Sequence, residues 1–342
     1  MFTLRRMNGV AAKGNGSRVA SMQETFRPLP LLGNPHVQTL LGYLWPGTVA
    51  PGATREVIVP LPDGDKVVLH DSLPPGWQRG GPMALLVHGL GGSHLSGPVR
   101  RAAGLLWQRG VRAVRIDLRG SGRGTGLSRR LYNAACSSDI RAALLEMRAW
   151  DPASAIALVG FSLGGNVALK LAGEAAVQPI PGLRCVAAVA PPVDLERCAA
   201  MMSSRRNRLY ELHFVQALVR QVRALERRRS DLGRTRFTGP LSLRRFDDVY
   251  TAPVGGYADA LDYYRRASSL PLIAAIRIPT LILTARDDPF IAVGPIEEQA
   301  PSSYLTVRIF EQGGHLGFLG PDGAGGIRWA ERWLTEWVLQ SK

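Results

Sequence analysis

Through the middle of the chain, short β-branched runs alternate with helical stretches, the mark of a parallel α/β sheet. Glu56 to Pro60 and Lys66 to Asp71, joined by the turn Pro62-Asp63-Gly64-Asp65, predict a leading hairpin. Met83 to Val87, Val111 to Ile116, Ala155 to Val159 and Cys185 to Ala190 predict buried strands. Helices are expected around Pro98 to Arg109 and Asp139 to Trp150, and another opens near Gly165. From about Leu195 to Ser269 the strand signal vanishes. There Leu212, Val215, Val219 and Val222 keep helical spacing on one face, which predicts a helical insertion. Strands return at Thr280 to Thr284 and Leu305 to Phe310, and an amphipathic helix near Ile327 to Leu339 follows.

These signals divide the chain into a disordered tail (1–25), a first core part (26–194), a helical cap insertion (195–270) and a second core part (271–342). Leu29 to Ala50 is apolar but broken by Pro30, Pro35 and Pro46, so it reads as an irregular docked segment and not a membrane span. The first twenty residues lack the apolar core of a secretory signal.

With 342 residues, 46% of them hydrophobic and 20% charged, the chain can bury a large core, which excludes general disorder. Three scattered cysteines, Cys136, Cys185 and Cys198, are too few for a disulfide framework or a zinc site. Reduced thiols in the cytoplasm are the expectation. The net charge of +15 changes the picture more, because it suits an anionic partner. No helix-turn-helix, zinc-finger or RNP-type pattern accompanies it, so nucleic acid is not expected.

The strongest chemical signal is Gly160-Phe161-Ser162-Leu163-Gly164, set between a buried strand and a helix-forming run. Only small neighbours permit so tight a strand-to-helix turn, and it lifts the serine hydroxyl above the sheet. A nucleophilic serine needs a base and an acid downstream. Of the two downstream histidines, His213 sits inside the helical insertion, whereas His315 lies in the loop Glu311-Gln312-Gly313-Gly314-His315 after a strand. His315 is therefore the expected base. The acid should follow the strand Thr280 to Thr284, where Asp287 and Asp288 stand side by side. The spacing, with Pro289 behind, favours Asp288; Asp287 is the alternative acid, and otherwise braces the loop. Backbone N–H groups of Leu163 and of Leu90, in His88-Gly89-Leu90-Gly91-Gly92, are the expected oxyanion donors. His88 is given a supporting hydrogen bond. The run Arg119 to Gly124 lacks the Gly-Lys-Ser/Thr of a phosphate loop and predicts a mobile loop beside the site.

With these residues in place, the chain resembles the α/β-hydrolases. It is most similar to the bacterial YheT-like hydrolases and their relatives, the eukaryotic ABHD1/ABHD3-type membrane lipid hydrolases and the plant EMB8-type proteins. The matching stretches include Asn34-Pro35-His36-Val37-Gln38-Thr39, His88-Gly89-Leu90-Gly91-Gly92-Ser93 and Gly160-Phe161-Ser162-Leu163-Gly164-Gly165-Asn166. Others are Phe246-Asp247-Asp248-Val249-Tyr250-Thr251-Ala252-Pro253, Tyr263-Tyr264-Arg265-Arg266-Ala267-Ser268 and Gly313-Gly314-His315-Leu316-Gly317-Phe318. The resemblance implies a mostly parallel central sheet flanked by helices, with a helical cap. It also implies serine-dependent cleavage of short-chain esters, acylglycerols or phospholipids, with no cofactor and no metal. Acyl transfer to another acceptor is the alternative within the same chemistry, and a non-enzymatic binding protein on the same scaffold is a more distant one. The insertion carries thirteen arginines against three acids between Arg197 and Phe246. A basic amphipathic helix there predicts peripheral contact with an anionic membrane surface.

Overall fold

The computed structural model describes residues 25–45 and 51–341; the expected tail, apart from its last residue Thr25, lies outside them. Strands β1 (Arg55–Pro60) and β2 (Lys66–Ser72) form the expected antiparallel hairpin. They join β3 (Met83–Val87), β4 (Arg112–Asp117), β5 (Ile156–Phe161), β6 (Leu183–Val189), β7 (Thr280–Ala285) and β8 (Leu305–Phe310). The eight strands run in the order β1-β2-β4-β3-β5-β6-β7-β8, and every pair from β4 to β8 is parallel.

Alternation along β3 shows why the sheet needs helices on both sides. Met83, Leu85 and Val87 pack with α3 (Ser137–Trp150) and α4 (Leu163–Glu174). Ala84 and Leu86 face the opposite way, onto α2 (Gly97–Gln108) and the helix Trp329–Gln340. A strand covered on both faces reads as a continuous apolar run, which is what Met83 to Val87 is. The loops that follow β3, β5, β7 and β8 all leave from the same end of the parallel strands, where α/β sheets place their sites.

Two expectations need correction. The segment taken as irregular contains helix α1 (Pro35–Leu44). Its proline stands at the first helical position, where no N–H is needed, and the Asn34 side chain accepts from the His36 and Val37 N–H groups. The Gly-rich run 119–124, taken as mobile, is anchored. Arg119 is buried and binds Asp139 with two nitrogens, while its third reaches Asp63 and Asp65. Burial opposes its charge, but these carboxylates hold the guanidinium above its ordinary range.

Between β6 and β7 the described elements are helical, chiefly α5 (Leu195–Met202) and α6 (Arg208–Arg228). The buried stripe of α6 is Val215, Leu218, Val222 and Leu225. Leu212, expected on that stripe, is exposed. Its spacing is right for the face, but Leu218, Val222 and Leu225 find Leu131, Phe246 and Tyr250 to pack on, and the first turns of the helix reach beyond that cluster. Among the described residues no helix is long and apolar enough to cross a membrane.

Candidate active site

Ser162 occupies the one-residue turn between β5 and α4 with φ 51° and ψ −121°, a conformation costly for a residue with a side chain. The glycines around it are sterically required. A Cβ on Gly160 would lie 2.2 Å from the Gly164 carbonyl oxygen, and one on Gly164 would lie 2.5 Å from that of His88. A Cβ on Gly89 would crowd the Ser162 Cβ at 3.1 Å. The turn brings the Ser162 hydroxyl within 3.0 Å of His315 Nε2.

His315 Nδ1 lies 2.8 Å from Asp288 Oδ2, so the imidazole carries its hydrogen on Nδ1 and presents a lone pair to the serine. Asp288 is buried, and its Oδ1 accepts from the Phe290 and Ile291 N–H groups, which orient the carboxylate. Asp287 points elsewhere. Its Oδ1 accepts from the Gly314 N–H at 2.9 Å, while Oδ2 is buried without a partner among the described residues. Burial pushes the Asp287 carboxyl up against the pull of the Gly314 N–H, and the neighbouring Asp288 charge adds to the rise. The adjacent carboxylates therefore have separate tasks in space: one on the imidazole, one on the loop that carries it.

Leu90 and Leu163 begin the segments facing the serine, and neither N–H has an internal acceptor among the described residues. The turn holding Leu90 is clamped at the Gly89 carbonyl, which accepts from the Tyr132 hydroxyl at 2.9 Å and faces His88 Nδ1 at 2.9 Å. His88 is fully buried and lies 3.1 Å from Ser121 Oγ, in the supporting position expected of it. Burial lowers its pKa, which keeps the ring neutral. His213 is exposed on α6, away from the serine, with its ring edge-on to Tyr43.

Residues outside the sequence-based site prove to support it. The His315 N–H donates to Thr39 Oγ1 at 2.9 Å, and that hydroxyl donates to the Pro35 carbonyl. Gln38 accepts from the Leu319 N–H at 2.7 Å and donates to the Leu32 carbonyl at 2.8 Å. The stretch Asn34 to Thr39 thus ties α1 to the histidine loop, a role its motif alone does not disclose. A cavity of about 20 Å³, lined by Leu90, Tyr132, Leu218, Phe246 and Tyr250, lies between the loop after β3 and the helical insertion. That is room for one water-sized molecule, so an acyl chain must displace side chains to enter.

One cluster has metal-competent side chains. His70 Nε2 and His94 Nδ1 lie 2.9 and 2.8 Å from the same Asp117 Oδ2, with the rings stacked at 3.4 Å. Tetrahedral ligands diverge from their ion by about 109°, and stacked rings do not. This arrangement is that of two N–H donors on one carboxylate. Burial alone would raise the Asp117 pKa, but hydrogen bonds from His70, His94 and the Arg123 N–H hold it well below the carboxylate range.

Residues 85–322 match the family model described as the alpha/beta hydrolase fold. The chain belongs to that family. Within it, this hydrolase is 32% identical to Escherichia coli YheT, named provisionally as an esterase, over 93% of its own length and 94% of that protein's. It is 29% identical to a monoacylglycerol lipase of Saccharomyces cerevisiae, covering 75% of this chain and 57% of the lipase. It is 26% identical to human phospholipase ABHD3, covering 70% of this chain and 58% of that one. The chain is therefore a YheT/ABHD-type α/β hydrolase that spans somewhat over half the length of the two eukaryotic relatives. Among solved structures, it is similar to the 2,6-dihydroxy-pseudo-oxynicotine hydrolase at a TM-score of 0.56, with 17% identity over 90% of this chain and 71% of that one. The esterase Pf2001 of Pyrococcus furiosus follows at 0.51, with 15% identity over 83% and 88%. Identity this low carries the fold alone.

Proposed function

We propose that this carboxylic ester hydrolase cleaves short-chain esters, acylglycerols or related lipids through an acyl-enzyme on Ser162. The observation that carries the reading is the continuous line Ser162 Oγ–His315–Asp288, with contacts of 3.0 and 2.8 Å. In this reading Ser162 attacks the ester carbonyl while its proton passes to His315 Nε2. Asp288 stabilises the imidazolium and fixes its tautomer. The oxyanion is met by the Leu90 and Leu163 N–H groups. His315 then protonates the departing alcohol and activates water, which releases the acid and regenerates the serine. Residues 195–270 act as a cap over the acyl pocket, a role supported by the contact of Leu218 with Leu90 and Leu131 across the small cavity.

One relative, a Saccharomyces cerevisiae protein, is named as a medium-chain fatty acid ethyl ester synthase and esterase, with 28% identity over 76% of this chain and 62% of its own. That name favours testing an alcohol as acceptor beside water. Labelling with a fluorophosphonate probe should modify Ser162, and p-nitrophenyl esters of graded chain length should be hydrolysed with a chain-length optimum. Added alcohol that yields a new ester at the expense of free acid would assign acyl transfer. Absence of both labelling and turnover in folded protein would overturn the proposal.

A further inference from the structure

The inference concerns an apolar face left uncovered beside the site, and it rests on the ester-hydrolase reading above. Along α1 the outward residues are Leu40, Tyr43 and Leu44, followed by Trp45, with Tyr43 68% and Leu44 65% exposed. The first turns of α6 add Leu209, 81% exposed, and Leu212. The two helices lie side by side. His36 Nδ1 is 3.3 Å from the Tyr210 hydroxyl with the rings stacked, and Tyr43 meets His213 edge-on at 5.8 Å between centroids. The exposed leucines and aromatics therefore form one patch drawn from two segments distant in sequence. Scattered surface leucines need no explanation, but a contiguous group of this kind marks an interaction surface.

The patch is continuous with the chemistry. Behind it Tyr210 packs edge-on against Phe290 at 4.7 Å, and Phe290 packs against His315 at 4.8 Å. Its border is basic. Arg205, Arg206 and Arg208 are exposed immediately before Leu209. The ion pairs flanking that stretch are Arg197–Asp194 and Arg223–Glu226, and the three arginines between them have none among the described residues. The nearby acid, Glu211, is engaged by the Ser203 hydroxyl and the Leu243 N–H. The opposite end of α6 is less suited to the task, because Arg229 is held by Asp231 and Arg228 by the Thr125 carbonyl. The membrane contact expected of the basic helix thus belongs to its first turns.

We propose that this face, Leu40, Tyr43, Leu44, Trp45, Leu209 and Leu212 with Arg205, Arg206 and Arg208 at its edge, docks on the surface of an anionic phospholipid bilayer. Docking would present ester lipids to the lane Tyr210–Phe290–His315. Charge decides the occupant. In a two-fold contact with a second copy, each arginine cluster would face the like-charged border of its partner, on a chain whose net charge is already +15. An anionic interface takes the leucines and aromatic rings into the headgroup boundary and the guanidinium groups onto lipid phosphates.

The test is sedimentation of the full chain with phosphatidylcholine vesicles and with vesicles carrying about one-third phosphatidylglycerol. Hydrolysis of a water-soluble p-nitrophenyl ester and light scattering run in parallel. Wild type should sediment with the anionic vesicles and much less with the neutral ones. Replacing Arg205, Arg206 and Arg208 together by Gln should weaken anionic binding on the order of a hundredfold. Leu44→Ser with Leu209→Ser and Leu212→Ser should weaken it at least as much as salt screening does. Both variants should hydrolyse the soluble ester within about twofold of wild type, which separates failure of docking from failure of the hydrolase reading. The proposal is overturned by wild type that ignores anionic vesicles, by equal binding to neutral ones, or by variants that bind like wild type. A dimer in solution that the leucine substitutions dissolve would assign the face to a second copy instead.

Discussion

Ser162 and His315 meet at 3.0 Å but reach that contact by different routes. The serine turn is built inside a few consecutive residues: β5 ends, Gly160 and Gly164 clear the space, and α4 begins at once. The histidine loop is held by a helix at the other end of the chain. Gly314 has φ +58°, and a Cβ there would strike the Pro35 carbonyl oxygen at 2.5 Å. The His315 N–H reaches Thr39 across 276 positions of sequence. One half of the site is thus a local steric solution, and the other is a tertiary assembly whose precision depends on the docking of α1. Damage to the two halves should look different.

The largest effects should fall on the shared contact. Ser162→Ala and His315→Ala are each expected to lower kcat by about 10⁴-fold or more, and the double variant little further, because such residues act as a unit. Steady-state turnover of a soluble ester checks this, with circular dichroism confirming the fold. Next come the paired carboxylates. Asp288→Asn should cost on the order of a thousandfold through the wrong imidazole tautomer. Asp287→Asn, which leaves the imidazole partner in place, should cost less than about tenfold; the reverse ranking would transfer the role to Asp287.

The two routes can be separated at their supports. Gly164→Ala drives a Cβ into the His88 carbonyl, a backbone atom, so it should reduce the yield of folded protein as well as activity. Thr39→Val removes the acceptor of the His315 N–H and leaves a buried donor unpaired, at about 1–3 kcal/mol. Its expected mark is lower kcat with nearly unchanged KM and an intact fold, and Thr39→Ser should recover most of the loss. Equal behaviour of Val and Ser would mean that α1 positions the loop by packing alone.

The smallest effect lies away from the reacting atoms. Asp247, in the helical insertion, is fully enclosed, and burial pushes its carboxyl from 3.8 up to about 7 despite hydrogen bonds from Thr251 and Tyr264. The folded chain therefore keeps a proton that the unfolded chain releases. Its contribution to stability is complete below pH ~3.8 and is lost as pH rises toward about 7. Asp247→Asn should flatten that decline in denaturant titrations at a series of pH values, with little effect on soluble-ester turnover near neutrality.

What could be read from residue order is what neighbours in the chain dictate. Alternating strands and helices, the serine turn and the glycines before His315 are visible because each is a local backbone requirement. The preference for Asp288 over Asp287 was legible in spacing, yet the reason, two N–H donors from Phe290 and Ile291 aiming the carboxylate, belongs to the folded loop. Helix α1 was hidden by its prolines, since breaker and first-turn residue are the same amino acid in different positions. The support of His315 by Thr39, the anchoring of Arg119 among three carboxylates and the stacking of His70 on His94 all join segments far apart in sequence. Leu212 shows the remaining limit. Periodicity says which face of a helix is apolar; whether another element covers that face depends on where the rest of the chain ends up, and here it stops short of the first turns of α6.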